Sequence, residues 1–282
     1  MQRRNSFIDS IIDKYTPTEE DIWGMEFKPP YRFIFENVQF NVFEQTCLSD
    51  FKGTETYKEL DKAYWNDAQV MRFIQGSQYN LKDSEVNIKN HDKWRLAKPN
   101  QETLLAEFEF HMKNGLVYFC GRDNRFRPIV VVNVAKCIQM KVFGEKMKNM
   151  MIFVAEHLIE SFYIGGKVEN WIFLFDLKDV SLFSLPVNSF KELGRMMEQN
   201  YRTKLYRFYI VNAPLMMSML FSFFKLFDKN IQKKIIVSRK KHAKEMDNHV
   251  NRAQLENKYN GNMTDIDNYW PYIDRSEDIL TG

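Results

Sequence analysis

Arg207-Phe-Tyr-Ile-Val-Asn-Ala-Pro214, running directly into Leu215-Met-Met-Ser-Met-Leu-Phe-Ser-Phe-Phe-Lys-Leu-Phe227, is the stretch on which the architecture turns. From Phe208 to Phe224 no side chain carries a charge, which sits at the lower edge of what spans a bilayer. Asn212-Ala-Pro214 interrupts the run, because proline has no N–H and disfavours helical geometry in the residue before it. The stretch therefore reads as a buried strand followed by a buried helix. A helix apolar on almost all sides is either wholly buried or covers an apolar cavity, and adaptable Met with large Phe suits both.

Working outward, Val117–Cys120, Ile129–Val134, Trp171–Phe175, Phe208–Val211 and Ile235–Val237 are strand candidates. Their apolarity is continuous rather than alternating, so both faces are buried, as in a mostly parallel sheet covered by helices. The polar segment Gly121–Pro128 joins the first two as an antiparallel hairpin. Gly144–Tyr163 places Met147, Met150, Met151, Val154 and Leu158 on one helical face, and Ser189-x-x-Glu192 is a capping box predicted to open a helix towards Asn200. Upstream, Tyr57, Leu60, Ala63 and Tyr64 recur at helical spacing, and Asn80 with Asp83 predicts a helix start. Residues 1–45 differ, with Pro17, Pro29-Pro30, the aromatic run Tyr31–Phe35 and period-two Val38, Phe40 and Val42; they predict an arm that includes a strand. The chain divides into this aromatic arm (1–45), a helical lobe (46–100), an α/β lobe (101–262) and a C-terminal tail (263–282).

At 282 residues, with 44% hydrophobic and 27% charged side chains, the composition is that of a globular chain and excludes disorder, collagen and disulfide scaffolds. A net charge of +3 is too small and too dispersed for a nucleic-acid binder that must neutralise many phosphates. Cys47, Cys120 and Cys137 are far apart and form no C-x-x-C pair, so neither a disulfide framework nor a zinc site is expected. The N-terminal stretch has no apolar core of signal-peptide length, and Asp9 and Asp13 weaken a transit-peptide reading; the expected location is the cytoplasm, peripheral at membranes, with a mitochondrial address left open.

No nucleophile elbow, zincin motif, P-loop or dinucleotide fingerprint occurs, so no enzyme, metal or cofactor is expected. Glu156, His157 and Glu160 share helical spacing suited to metal ligands or an acid/base pair, against the plainer reading of an exposed polar face, which is preferred. Lys229, Lys233, Lys234, Arg239, Lys240, Lys241 and Lys244 form a basic run with no acidic residue among them. Beside an apolar helix such a run holds a protein on an anionic bilayer at about 1 kcal/mol per charge; the alternative is a solvated face.

Several motifs in order resemble the CRAL-TRIO family of lipid-binding and lipid-transfer proteins over residues 55–262. Arg72-Phe-Ile, Tyr79-Asn-Leu-Lys and Lys93-Trp-Arg95 are similar to its helical N-terminal lobe. Gly115-Leu-Val-Tyr, Gly121-Arg-Asp and Arg127-Pro-Ile-Val-Val-Val are similar to its first hairpin, and Phe175-Asp-Leu-Lys-Asp-Val-Ser181 to its central strand. Gln199-Asn-Tyr before Arg207–Pro214, with Lys233-Lys-Ile235 beyond, resembles the strand, gate helix and basic strand start. Leu255-Glu-Asn-Lys-Tyr-Asn-Gly261 resembles the closing motif, with Asn260 where glycine is usual.

The resemblance implies an α/β fold: a helical lobe plus a mostly parallel five-stranded sheet covered by helices, with an apolar pocket closed by a gate helix, Pro214–Phe227. The positions that hold a phosphatidylinositol head group in the family correspond to Ser77, Gln78, Thr203 and Ile231, with only Lys234 kept. Those for phosphatidylcholine fall on Phe119, Val130, Trp171 and Phe173. One lysine does not offset the desolvation of a phosphate, and the second set offers almost no polar partner beyond the single Trp171 N–H, so both phospholipids are disfavoured. The implied ligand is a low-polarity lipid, lined by Phe119, Val130, Val132, Met150, Val154, Trp171, Phe173, Phe175, Val211, Leu220, Phe221, Phe224, Phe227 and Lys234. Lys229, Lys233, Arg239, Lys240, Lys241 and Lys244 would face an anionic membrane. In the second reading the lipid site has decayed and the domain is an adaptor subunit of a larger assembly, contacting a protein partner through residues 1–45; an exposed aromatic arm needs a cover, from the domain itself or from a partner.

Overall fold

A computed structural model describes residues 10–214 and 228–272. In chain order the elements are α1 (Glu19–Trp23), α2 (Val42–Lys52), α3 (Glu55–Glu59), α4 (Asp67–Gly76), α5 (Leu81–Ala97), α6 (Gln101–Lys113), β1 (Val117–Arg122), β2 (Pro128–Asn133), α7 (Val134–Gln139), α8 (Gly144–Phe162), β3 (Trp171–Asp176), α9 (Val187–Asn200), β4 (Leu205–Val211), α10 (Lys229–Gln232) and β5 (Ile235–Val237). The five strands form one sheet in sequence order. The β1–β2 pair is an antiparallel hairpin and the other three pairings are parallel. Every residue of β1 and β3 is buried, which is why these strands show no alternation. No helix among the described residues is long and apolar enough to cross a membrane. The gate helix expected at Pro214–Phe227 lies, after Pro214, outside the described residues.

Two local expectations are corrected. Val38, Phe40 and Val42 do not make a strand, because Asn41 caps α2: its side chain accepts the Glu44 N–H at 2.9 Å, and the Glu44 carboxylate accepts the Asn41 N–H at 2.9 Å. That reciprocal cap starts a helix at Val42, whose side chain points to solvent. Ser189 likewise does not cap its own helix, which begins two residues earlier at Val187; its hydroxyl accepts the N–H of Gly144, the first residue of α8, at 2.9 Å. The Asn80 cap is as expected, with its side chain accepting the Asp83 N–H at 3.0 Å. Asn260 has φ 67°, the left-handed geometry that asparagine tolerates. The neighbouring Gly261 is required by contact, since a Cβ there would lie 1.8 Å from the Leu255 carbonyl oxygen.

The aromatic arm is covered by its own domain. Phe33, Ile34 and Phe35 are buried, and the Phe27 and Phe33 rings lie 5.8 and 5.9 Å from that of Tyr206 on β4. Arm, helical lobe and sheet meet at Glu169, in the loop before β3. Its carboxylate pairs with Arg72 of α4, lies 3.7 Å from the Lys204 ammonium, and accepts the Glu36 and Gly166 N–H groups at 2.6 Å each. Arg72 also donates to the Ile34 carbonyl at 3.0 Å. Removing one partner from a buried ion pair strands the other charge. Arg72→Met is therefore expected to cost about 3–5 kcal/mol in urea unfolding, whereas Lys52→Met, which breaks the exposed pair with Asp67, changes it by about 0.5 kcal/mol or less. Equal losses in the two variants would refute this ranking.

Candidate functional site

Parallel strands expose side chains of one parity to each face, and the register puts Trp171, Phe173 and Phe175 of β3 beside Leu205, Phe208 and Ile210 of β4. A bulge at Tyr206, where the register slips between Trp171/Leu205 and Ile172/Arg207, lets Leu205 and Phe208 reach the same face three residues apart. These six side chains line one side of a cavity of about 470 Å³, and Leu185, Val187, Phe190, Leu193 and Met197 from α9 and the turn before it line another. The floor is aromatic: the Phe175 and Phe208 ring centroids are 4.6 Å apart and those of Trp171 and Phe173 5.8 Å. The volume is within the usual range of small-molecule sites, about 300–1,000 Å³.

The cavity has one polar end, at the N-terminal ends of β3–β5. Gln75, Gly76 and Gln78 reach it from α4 and the turn after it, Tyr31 and Arg32 from the arm, Arg202 and Thr203 from the turn before β4, and Asp228, Asn230, Ile231 and Lys234 from the segment before β5. Lys234 is wholly buried. Its Nζ donates to the Leu205 carbonyl at 2.7 Å and lies 3.7 Å from the Tyr31 ring centroid. Burial, with Lys233 and Arg207 nearby, holds its pKa well below the ordinary lysine value. Arg32 is neutralised by Glu44 at 3.0 Å and donates to the Gln39 carbonyl at 2.9 Å. The Trp171 indole N–H is buried without an acceptor among the described residues.

Of the side chains expected to bind lipid, Trp171, Phe173, Phe175 and Lys234 are on the cavity wall. Phe119, Val130 and Val132 share the face of Phe173 and Phe175 by register, but at the β1–β2 end that face is packed solid, with the Phe119 ring 4.5 Å from Phe162 of α8. Val211 is one residue past Ile210 and so on the opposite face of the sheet. Met150 and Val154 are buried in the core, and it is Met151, one residue round the helix, that lines the cavity. Leu220, Phe221, Phe224 and Phe227 lie outside the described residues. Gln78, Thr203 and Ile231 join Lys234 on the wall, while the buried Ser77 hydroxyl instead accepts the Asn87 amide at 2.9 Å.

Arg32 and Arg202 were not foreseen as wall residues. Arg202 stands inside the Tyr201-Arg-Thr203 segment that aligns with a head-group position, so its place in the chain was a usable signal; Arg32 had none, because only the folded arm brings it there. In the basic run, Lys229, Arg239, Lys240, Lys241 and Lys244 are exposed, whereas Lys233 is half-buried and donates to the Pro29 carbonyl at 3.2 Å, and Lys234 belongs to the cavity.

Glu156, His157 and Glu160 do not converge. Glu156 accepts from the Tyr201 hydroxyl at 2.8 Å and pairs with Lys98 at 2.5 Å. His157 is packed against the rings of Phe153, Trp270 and Tyr272. Among the described residues no group of three or more His, Cys, Asp or Glu side chains is placed to hold a metal.

Comparison with known proteins gives a consistent picture. The family model described as CRAL/TRIO domain matches residues 112–261. The chain is similar to the SEC14 cytosolic factor of Kluyveromyces lactis, 24% identical over 214 residues that cover 70% of this chain and 71% of the relative. It is also similar to the SEC14 cytosolic factor of Yarrowia lipolytica, 26% identical over 179 residues, 57% of this chain and 36% of that one. Among solved structures, the crystal structure of Sfh5 aligns with a TM-score of 0.57 at 15% identity, covering 72% of this chain and 82% of that chain, a likeness of fold.

His157 also makes a pH prediction. Burial lowers its pKa from 6.5 to about 4, so on acidification the unfolded chain takes up a proton before the folded one does. Stability therefore falls as pH drops from about 6.5 towards 4, and His91, also lowered to about 4 by burial, adds in the same direction. His157→Phe is expected to raise Tm relative to the parent more at pH 5 than at pH 7.5; parallel Tm profiles would place the acid sensitivity elsewhere.

Proposed function

The chain belongs to the CRAL/TRIO domain family, and from that premise we propose that it binds one lipid of low polarity in the cavity on the β3–β5 half of its sheet and carries or presents it at membranes. The class comprises a sterol, an isoprenoid, a tocopherol- or retinoid-like molecule, or a fatty acyl chain. The observation that carries the proposal is the cavity itself: Trp171 and Phe173 stand on its wall without filling it, and about 470 Å³ remains between them and α9. Burying apolar ligand surface against such a wall is favourable at about 25 cal/mol per Å² removed from water. The adaptor reading needs an aromatic arm free to meet a partner, and the run Phe33–Phe35 is instead buried against its own domain. Exposed Lys229, Arg239, Lys240, Lys241 and Lys244 support an approach to anionic membranes.

Native mass spectrometry of the purified protein, with organic extraction of the same sample, tests the carrier role. A stoichiometric lipid adduct is expected. A ligand-free mass that persists after incubation with mixed liposomes would reject it. Ile210→Trp and Val187→Trp, which fill the cavity from opposite walls, should each reduce lipid uptake at least tenfold while the protein stays folded; undiminished uptake in both would remove the lipid from this cavity. Replacing Arg239, Lys240 and Lys241 by glutamine should weaken binding to vesicles containing phosphatidylserine, with the difference shrinking at high salt. An unchanged affinity would leave the run as a solvated face.

A further inference from the structure

Arg202 is a cation on the cavity wall with one buried donor left unmet among the described residues. Its Nη1 donates to the Gly76 carbonyl at 2.7 Å, and its Cζ lies 5.3 Å from the Phe73 ring centroid. Its Nε is buried and has no acceptor among the described residues. Glu198 and Asp228 are near enough to favour its charge, but neither is in contact with it. Glu198 accepts the Asp228 N–H at 3.3 Å, and burial pushes its carboxyl towards the neutral form. Asp228 accepts the Asn230 N–H at 2.7 Å. Among the described residues neither forms an ion pair with Arg202.

Of the other cations of the polar end, Arg32 is paired with Glu44, and burial holds the Lys234 pKa well below the ordinary lysine value. A guanidinium remains charged at any physiological pH, and its fork matches a carboxylate or a phosphate. Leaving it half-buried and unpaired beside an aromatic floor is costly, and a ligand that brings one anionic oxygen group removes that cost. The apolar walls then take the rest of the molecule, in a volume in the lower half of the usual range for ligand sites.

On the basis of the lipid-carrier reading, we infer that the occupant is a single-chain amphiphile whose one carboxylate is received by Arg202 at the polar end while its chain runs along Phe173, Phe175 and Phe208. The structure thus separates a charged single-chain lipid from the neutral lipids of similar bulk.

cis-Parinaric acid and its methyl ester share one fluorescent chain and differ only in that charge, so titrating each into the full-length protein reads the contribution of the head group directly. The acid is expected to bind at least tenfold more tightly than the ester. Arg202→Gln should bring the acid to the level of the ester, and Arg202→Lys should restore part of the difference, which a merely structural role would not do. Equal binding of acid and ester to the parent protein, or a preference that survives in Arg202→Gln, would overturn the inference while leaving the carrier reading intact. Failure of both probes to bind would also overturn the inference, and the carrier reading falls with it only if the native mass stays ligand-free after incubation with mixed liposomes. Oleate is expected to displace the bound fluorescent acid at lower concentration than oleoyl lysophosphatidate does; the reverse order would overturn the assignment to a carboxylate.

Discussion

The buried carboxylate of Glu169 is the constraint around which the molecule is arranged. A carboxylate removed from water must be surrounded by donors, and those donors come from three parts of the chain: Arg72 of the helical lobe, the Glu36 N–H of the arm, and the Gly166 N–H and Lys204 of the α/β lobe. Satisfying one group therefore fixes three pieces of chain against one another. The loop bearing Glu169 enters β3 two residues later, and the turn bearing Lys204 enters β4 at Leu205. The same cluster thereby sets where the aromatic floor begins and brings Gln75 and Gln78 of the helical lobe over its polar end. Lys204 bears the cost: burial and the adjacent Arg72 lower its pKa to about 7.

The cavity follows from that arrangement and from the uneven cover of the sheet. One face carries Phe119, Val130, Phe173 and Phe208 in a row across four strands. At the hairpin end, α8 lies close enough for Phe162 to meet Phe119; further along, Met151 and the residues of α9 stand back from β3 and β4. A continuous apolar row is thus core at one end and wall at the other, and the boundary is drawn by helix placement rather than by residue type.

That distinction explains what could be read in advance. The strands, the hairpin and the Asn80 helix start were legible because burial on both faces and side-chain capping leave local marks. The wall was only half legible. A strand buried on both faces shows no alternation, so nothing local says that Ile210 rather than Val211, or Met151 rather than Met150, meets the void. The arm was misread because Val38, Phe40 and Val42 imitate a strand, while the decisive signal, Asn41 with Glu44, spans four residues and overlaps the end of that pattern. The motif resemblance located Gln78, Thr203, Ile231 and Lys234 together, which no periodicity would have done. Arg32 reaches the wall only through the folded arm, a long-range event.

The closing segment has a consequence for how the protein is made. β1 is an edge strand, and residues 254–256 cover it: the Gln254 side chain accepts the Arg122 N–H at 2.9 Å, the Cys120 thiol donates to the Gln254 carbonyl at 3.6 Å, and the Tyr118 hydroxyl donates to buried Glu256 at 2.7 Å. An uncovered edge is a template for pairing with another chain. More than 130 residues separate β1 from its cover, so during translation the first strand to leave the ribosome is the last to be sealed. A nascent chain stalled before residue 254 therefore presents an open edge on its first hairpin, the kind of unpaired edge that makes partly folded chains prone to aggregate.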